Sequence, residues 1–486
     1  MALNTTHAAK YVTKKDNKVP AKLIDSPIYY RTAFLITSSD GNTTTIRATS
    51  VQECKNSRRT QLRVGDRTFN LTKTTIHRSC PWHFAPACRL VGYYGSTSPF
   101  PSMITEHKPL PPVVQLLNED TGKWLDLELV DSRSTAKHAH HLAVCLQPMY
   151  LMADWPMLPA FFENWISNGA TLFFIYIQSI SAEVDAMLRV YEESGGIEVI
   201  RVPWSPFPST ANYSDPSNPN NRIYRTEVAT AINDCVLRAR KSELVVSSDL
   251  DEIIAPMMKN ETGRTVVEMI DEFKHKPIGK KAAGAFMFYH SYAYAESNWS
   301  SISHPRQLTF DHFASIGMER AVWPRGRRSK VVMFPDRIFR AHVHDVVAFE
   351  DPAKFDIFLV PSNRARVLHF RRVDARTMKQ GMVEKGVDLL GDAAKDWMSS
   401  WRRRISEAEE RQRTTKRREE PDSVSILDST WRNNGHQVMH EIEACRQKAY
   451  DRLTKECITE WACRAELQAM EWKEWREPPT SSWTVV

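Results

Sequence analysis

From residue 142 onward the apolar positions switch between two periods. Residues 142–146, 171–177, 197–202 and 244–246 are short apolar runs rich in β-branched and aromatic side chains, the pattern of buried strands. Between them apolar residues recur every three or four positions. Leu158, Phe161, Phe162, Trp165 and Ile166 form one stripe, Val184, Met187, Leu188 and Tyr191 a second, and Val228, Ala231, Ile232, Cys235, Val236 and Ala239 a third. That spacing predicts amphipathic helices. Pro156 opens the first and Gly169 closes it, and Gly195-Gly196 closes the second. Strands alternating with helices predict an α/β fold with a parallel, doubly wound sheet, whose ligands bind at the carboxyl ends of the strands. The Pro/Asn-rich loop 203–221 is long enough to suggest a functional role.

The flanking regions have a different texture. Residues 28–36, 43–48, 61–64 and 123–130 alternate over short runs, with turn signals at Asp40-Gly41 and Gly95-Ser96, and predict a β-rich N-terminal domain over 26–135. Residues 1–25 are polar and Lys-rich and read as a disordered lead-in. The Pro-rich stretch 99–112 crosses that domain or links its parts. Residues 132–141 read as a linker, with His138, His140 and His141 on an exposed loop rather than around a metal. The catalytic-type domain is expected over 136–375, with further strands at 284–289 and 330–334. Residues 376–486 are polar and helical in pattern, carry Trp397, Trp401, Trp461, Trp472 and Trp475, and predict a helical C-terminal extension. It packs back on the core or offers a partner surface, and its charged segment 409–421 is expected to be mobile.

Composition narrows the partners. The 486 residues carry 65 basic and 58 acidic side chains, a net charge of +7, without the clustered basic face that nucleic-acid binding needs. Asn-x-Ser/Thr occurs at Asn4, Asn42, Asn70, Asn212, Asn260 and Asn298, which points to a secretory lumen. The eight cysteines suit disulfides, expected among Cys54, Cys80 and Cys88. Cys145 and Cys235 fall on core elements and are expected reduced and buried. No apolar run approaches the length of a membrane span, so a luminal protein would need an anchor outside this sequence.

The candidate chemistry sits at the end of the fourth strand. Leu244-Val-Val246 runs into Asp249-Leu-Asp251-Glu252. Carboxylates grouped at a buried strand end are costly unless a cation or ligand neutralises them. Hard divalent ions take carboxylate oxygens and commonly hold a substrate's phosphates as well. The motif is therefore a candidate Mn²⁺ or Mg²⁺ site for a nucleotide sugar, although solvated acids at a strand end would look the same.

Several segments in order resemble glycosyltransferase family 92. They are His141-Leu-Ala-Val-Cys-Leu-Gln-Pro148, Phe161 to Tyr176, Asn233-Asp-Cys-Val-Leu-Arg238, Ser248-Asp-Leu-Asp-Glu252, Lys330, Val343-His344 and His369-Phe-Arg371. Phe370 stands where the family usually has Tyr. The resemblance implies a GT-A type nucleotide-sugar fold, UDP-galactose as donor, Mn²⁺, and inverting transfer to a glycan hydroxyl that yields a β-galactoside. Fucose or galactose of an N-glycan is the implied acceptor. It further implies a type II membrane protein of the Golgi lumen.

Roles follow from these readings. Asp251 is expected as metal ligand, and Asp249 as ligand, ribose contact or support. His344 is the first choice for a later ligand and His369 the second. Donor binding is assigned to Cys145, Gln147, Pro148, Arg225, Asp249 and Lys330, with Lys330 capping the phosphates as a point charge. Inversion requires a carboxylate to take the acceptor proton, and Asp311, Glu319 and Asp345 are the candidates. A catalytically inactive glycan-binding relative and a metal-dependent phosphohydrolase are the alternatives.

Overall fold

The computed structural model describes residues 26–37, 41–101, 111–133, 137–212, 215–258, 263–370, 382–414, 424–429, 431–450, 456–459, 461, 464 and 475–486. The expected lead-in over 1–25, Asn4, Asn260, Arg371 and Trp472 lie outside the described residues.

The central sheet is built as the apolar periods require. Strands Glu198–Pro203, Ala170–Ile177, His140–Met149 and Ser242–Ser248 lie side by side in that order and run parallel. Lys330–Met333 and Ala282–Tyr294 extend the sheet antiparallel. Alternation along each strand loads both faces. Leu142, Val144 and Leu146 join one core with Phe173, Ile175, Leu244 and Val246. Ala143 and Cys145 face the other core with Phe174, Tyr176 and Val245. Helices Met157–Ser167 and Ala182–Glu192 cover the first face, and helix Val228–Arg238 covers the second. Each large side chain buried in this way contributes about 1.5–3 kcal/mol, so the helices are held by packing more than by propensity.

Chain order explains where a crevice forms. The chain moves outward from His140–Met149 through two further strands, then returns to place Ser242–Ser248 on the opposite side of the first strand. The order reverses between these two neighbours, whose carboxyl ends register as Leu146 opposite Ser248. Gln147-Pro148 and Asp249-Leu-Asp251 therefore emerge next to each other.

The N-terminal region forms a separate ten-stranded sheet among the described residues. Strands Tyr29–Thr37 and Thr43–Glu53 pair antiparallel, and Leu90–Ser96 adds to the latter. This sheet packs on the back of helix Val228–Arg238. Tyr94 Oη donates to Asn233 Oδ1 at 2.9 Å, Thr49 Oγ1 donates to Asp234 Oδ2 at 3.2 Å, and Tyr176 Oη donates to Asp234 Oδ1 at 2.5 Å. Arg238 and Arg31 hold the buried Asp234 carboxylate below its ordinary pKa against the upward push of burial. The Asn233 to Arg238 segment is thus a bolt between two sheets.

Two expectations about the C-terminal region and the cysteines change. Helix Gly391–Thr414 packs on the first face, with Trp397 and Trp401 buried and Arg404 Nε 2.9 Å from Glu163 Oε1. Its end includes Glu409, which is buried and paired with Arg306, so 409–414 is ordered helix, while 415–421 lies outside the described residues. Cys54 bonds Cys80, but Cys88 reaches Cys457 across 369 residues. Cys145 and Cys235 are not reduced: they bond each other. Cys145 points from its strand toward the covering helix, and Cys235 lies on that helix's buried face. Linear spacing does not reveal that crossing. Among the described residues no helix is long and apolar enough to cross a membrane.

Candidate active site

A cleft of about 1380 Å³ opens at the point of strand reversal. Gln147, Pro148, Arg225, Asp249, Asp251 and His369 all line it. The turn Asp249-Leu250-Asp251 leaves strand Ser242–Ser248 and enters strand Glu252–Pro256. That second strand pairs with Ala365–Phe370, and the register sets Glu252 opposite His369. The pairing explains how residues more than a hundred positions apart in the chain meet.

The acids lie against an ammonium and an imidazole. Lys330 Nζ lies 3.0 Å from Asp249 Oδ2 and 2.8 Å from Glu252 Oε2. His369 Nε2 lies 3.0 Å from Asp251 Oδ2, and its Nδ1 lies 3.7 Å from Glu252 Oε1 and 3.3 Å from His290 Nε2. Burial would raise the Asp249 pKa, yet the Lys330 ammonium holds it below the ordinary value. Burial, followed by the Asp249 charge, pushes Glu252 up to about 7. Burial works against protonation of His369, and the Asp251 carboxylate outweighs it, so the pKa is raised. His290, fully buried and facing His369, is driven down to about 2.

Two carboxylates and an imidazole line the cleft and are donor types that suit Mn²⁺, although the ligand atoms of the three do not all lie within 4.8 Å of one another. The reading of Lys330 as a phosphate cap requires correction. Lys330 is 1% exposed and its ammonium spans two carboxylates, so it is an internal counter-ion. His344 does not line the cleft. Its Nδ1 lies 3.1 Å from the Ser329 carbonyl, and burial, with Lys330 adding to it, lowers its pKa to about 4. The geometry therefore favours His369 over His344 beside Asp251. Cys145 is also corrected: its sulfur is bonded to Cys235, and the residue does not line the cleft.

None of the proposed bases lines the cleft. Asp311 is exposed on a short 3-10 turn, Asp311–Ala314. Asp345 opens a hairpin strand and pairs with Arg78 at 2.6 Å. Glu319 accepts from Trp323 Nε1 at 3.0 Å and from the Tyr292 amide at 3.4 Å, so it holds aromatic rings rather than a substrate.

Some cleft residues had no sequence signature. Glu296 follows strand Ala282–Tyr294 and lines the cleft from an exposed loop. Helix Gly435–Tyr450 supplies His436, Gln437, His440 and Glu443 to one wall. Phe84, 44% exposed, reaches the cleft from the N-terminal region, on a loop between Cys80 and Cys88. The basic segment before Lys330 contributes Arg328, for which the run of arginines from Arg325 to Arg328 was an available hint.

The sequence model of glycosyltransferase family 92 matches residues 140–423, more than half of the chain. The chain belongs to glycosyltransferase family 92. No curated protein matches it. Among solved structures it is similar to a mannosyltransferase, PcManGT from Pyrobaculum calidifontis, in complex with GDP-Man and Mn²⁺. The identity is 10% over 70% of this chain and 90% of that one, with a TM-score of 0.24. The family match spans the central sheet, the Asp249-Leu-Asp251 turn, His369 and helix Gly391–Thr414.

The histidines of the expected linker do not meet at one point. His140 lies 3.4 Å from Glu198, and His141 lies 2.9 Å from Glu243. His141, Glu243 and Asp271 are the trio among the described residues whose ligand atoms all lie within 4.8 Å of one another. His141 and Glu243 sit at the starts of parallel strands and Asp271 on helix Val266–Phe273, and none of the three lines the cleft. Lys274, 2.7 Å from Asp271 and 3.5 Å from Glu243, already supplies a cation there.

Proposed function

We propose that this family 92 protein is a metal-dependent, inverting galactosyltransferase. It moves galactose from UDP-galactose to a glycan hydroxyl and forms a β-galactoside. The observation that carries the reading is the Asp249/Asp251 turn, facing a large cleft at the strand reversal with His369 against Asp251. Asp251 and His369 would hold Mn²⁺, with Asp249 oriented by Lys330. A bound divalent cation supplies Lewis-acid stabilisation of the departing diphosphate. Gln147 and Pro148, at the end of strand His140–Met149, and Arg225, just before helix Val228–Arg238, border the donor side in this reading.

The acceptor proton goes to a cleft carboxylate within hydrogen-bond reach. Glu296 is the candidate. Among the other cleft acids, Asp249 and Asp251 are held by Lys330 and His369, Asp154 is buried, and Glu443 lies 3.3 Å from Arg446. Glu296 is exposed and has no cation within ion-pair distance among the described residues. Acceptors are fucose or galactose residues of N-glycans in this proposal, and the compartment is the Golgi lumen. The acceptor asparagines of the described sequons, Asn42, Asn70, Asn212 and Asn298, are all exposed, as glycan attachment requires.

The test is a donor screen with UDP-galactose, UDP-glucose and GDP-mannose, with and without EDTA, reading transfer to fucosylated and galactosylated glycans. Galactose transfer that EDTA abolishes is expected. Donor binding without any transfer would favour the glycan-binding alternative, and a different donor sugar would replace the galactose assignment.

A further inference from the structure

Arg328 is the cleft residue whose surroundings call for a ligand. It lines the same cleft as Asp249 and Asp251 and is half-buried. Its backbone has φ +60°, a left-handed conformation that costs a non-glycine residue and concentrates at functional sites. The guanidinium lies 5.3 Å from the ring centres of both Tyr292 and Trp323. Those rings are themselves fixed. They cross at 89°, Trp323 Nε1 donates to Glu319 at 3.0 Å, and the Trp323 amide donates to the His290 carbonyl at 3.0 Å. Tyr292 in turn stands 5.6 Å from the His369 ring, which ties Arg328 to the acidic turn.

What Arg328 lacks is a counter-ion. Among the described residues no carboxylate comes within ion-pair distance of it. Arg238, Arg240 and Arg404, which are buried more deeply, each face a carboxylate. The Arg328 guanidinium borders the open cleft, and with no carboxylate against it among the described residues it is available to an incoming anion. At the acidic turn Asp249 and Glu252 lie against the Lys330 ammonium, and Asp251 lies against the His369 imidazole. Lys330 is therefore committed to carboxylates, which leaves Arg328 as a cleft cation able to meet phosphate oxygens that a divalent ion does not cover. The planar fork of arginine matches phosphate oxygens in pairs.

We propose that Arg328 is the protein's clamp on the diphosphate of the donor, held in place by Tyr292, Trp323 and Glu319. This rests on the nucleotide-sugar reading above. The chemistry recognised is two linked phosphates, whichever base and sugar they carry.

Isothermal calorimetry on the full chain tests this with inorganic pyrophosphate and with UDP-galactose, each with and without Mn²⁺. Arg328→Gln weakens pyrophosphate binding about 10-fold or more, the size of a lost charged hydrogen bond. Arg328→Lys recovers part of the loss, because charge returns without the fork. Arg328→Gly separates ligand binding from folding. It relieves the left-handed backbone, so thermal stability is kept or rises, while pyrophosphate binds no better than to Arg328→Gln. The clamp is overturned if Arg328→Gln and Arg328→Gly bind pyrophosphate as tightly as the unmodified protein does. If the unmodified protein binds pyrophosphate but no nucleotide sugar, the functional reading falls and the anion site stands. If it binds neither, both fall.

Discussion

Asp249 and Asp251 are two residues apart, yet they occupy unlike environments. Asp249 is held by a buried ammonium, whereas Asp251 meets an imidazole and, among the described residues, no ammonium or guanidinium. Asp251 is therefore the carboxylate with less to give up when a divalent ion arrives. Asp251→Asn is expected to keep the fold and lose transfer, since a metal's stabilisation of the leaving group is worth several kcal/mol. Near-normal turnover in that variant would remove Asp251 from the chemistry. The histidines separate in the same way. His369→Ala should raise the Mn²⁺ needed for half-maximal activity about 10-fold or more, and His344→Ala should leave it unchanged, because His344 turns to the Ser329 carbonyl outside the cleft. A metal titration that shifts only in the His344 variant would reverse this order. The acidic turn was legible in the sequence because strand and acids are contiguous. Which histidine serves it was not, since that depends on the register of strand Ala365–Phe370 against Glu252–Pro256. Nor was the role of Lys330 legible, because a lysine near phosphates and a lysine buried between carboxylates look alike until burial is known.

At the scale of elements, the strands and helices from residue 140 to 256 follow their apolar periods closely, because each buries one face or two against a single sheet. The wall made by helix Gly435–Tyr450 had no such signal. Its polar residues face the cleft, and its apolar ones, Val438 and Ile442, join a small cluster with Tyr150, Leu151 and Ala153. One residue sets how closely it sits. A Cβ on Gly435 would lie 2.3 Å from the backbone of Ala153 and Asp154, so only glycine allows the approach. Gly435→Ala should push the start of this helix away from Ala153 and from Asp154, which lines the cleft. The expected result is a higher donor KM with kcat less affected, and a stability loss of about 1–3 kcal/mol, as for other overpacked sites. Unchanged donor KM and melting temperature would mean that the helix moves without consequence, and that the cleft does not depend on this wall.

At the scale of the molecule, the end of the described chain returns to its beginning. Thr484–Val485 pairs with Tyr29–Thr37, and Val486 exchanges backbone hydrogen bonds with Ile28 at 2.8 and 3.0 Å. Trp483 enters the core between Trp204 and Phe207, with ring centres 5.0 and 4.6 Å away, and its Nε1 donates to the Ser205 carbonyl at 2.7 Å. The residues around Trp483 thus touch the N-terminal sheet on one side and the loop after strand Glu198–Pro203 on the other. The Cys88–Cys457 bond ties the N-terminal region to a C-terminal segment whose Thr459 donates to the Asn220 carbonyl of the same loop. Domain boundaries drawn from texture along the chain could not anticipate this, because neither contact is local. The consequence is that the two sheets should unfold together rather than in turn. Trp483→Ala removes a buried indole and its hydrogen bond, a change that costs about 3–5 kcal/mol in a core. Calorimetry is expected to give one transition for the unmodified protein and, for Trp483→Ala, a lower melting temperature with the transition broadened or split. A single transition of unchanged width and temperature would show that the two sheets are held together by the helix Val228–Arg238 interface and the disulfide alone, without help from the returning chain.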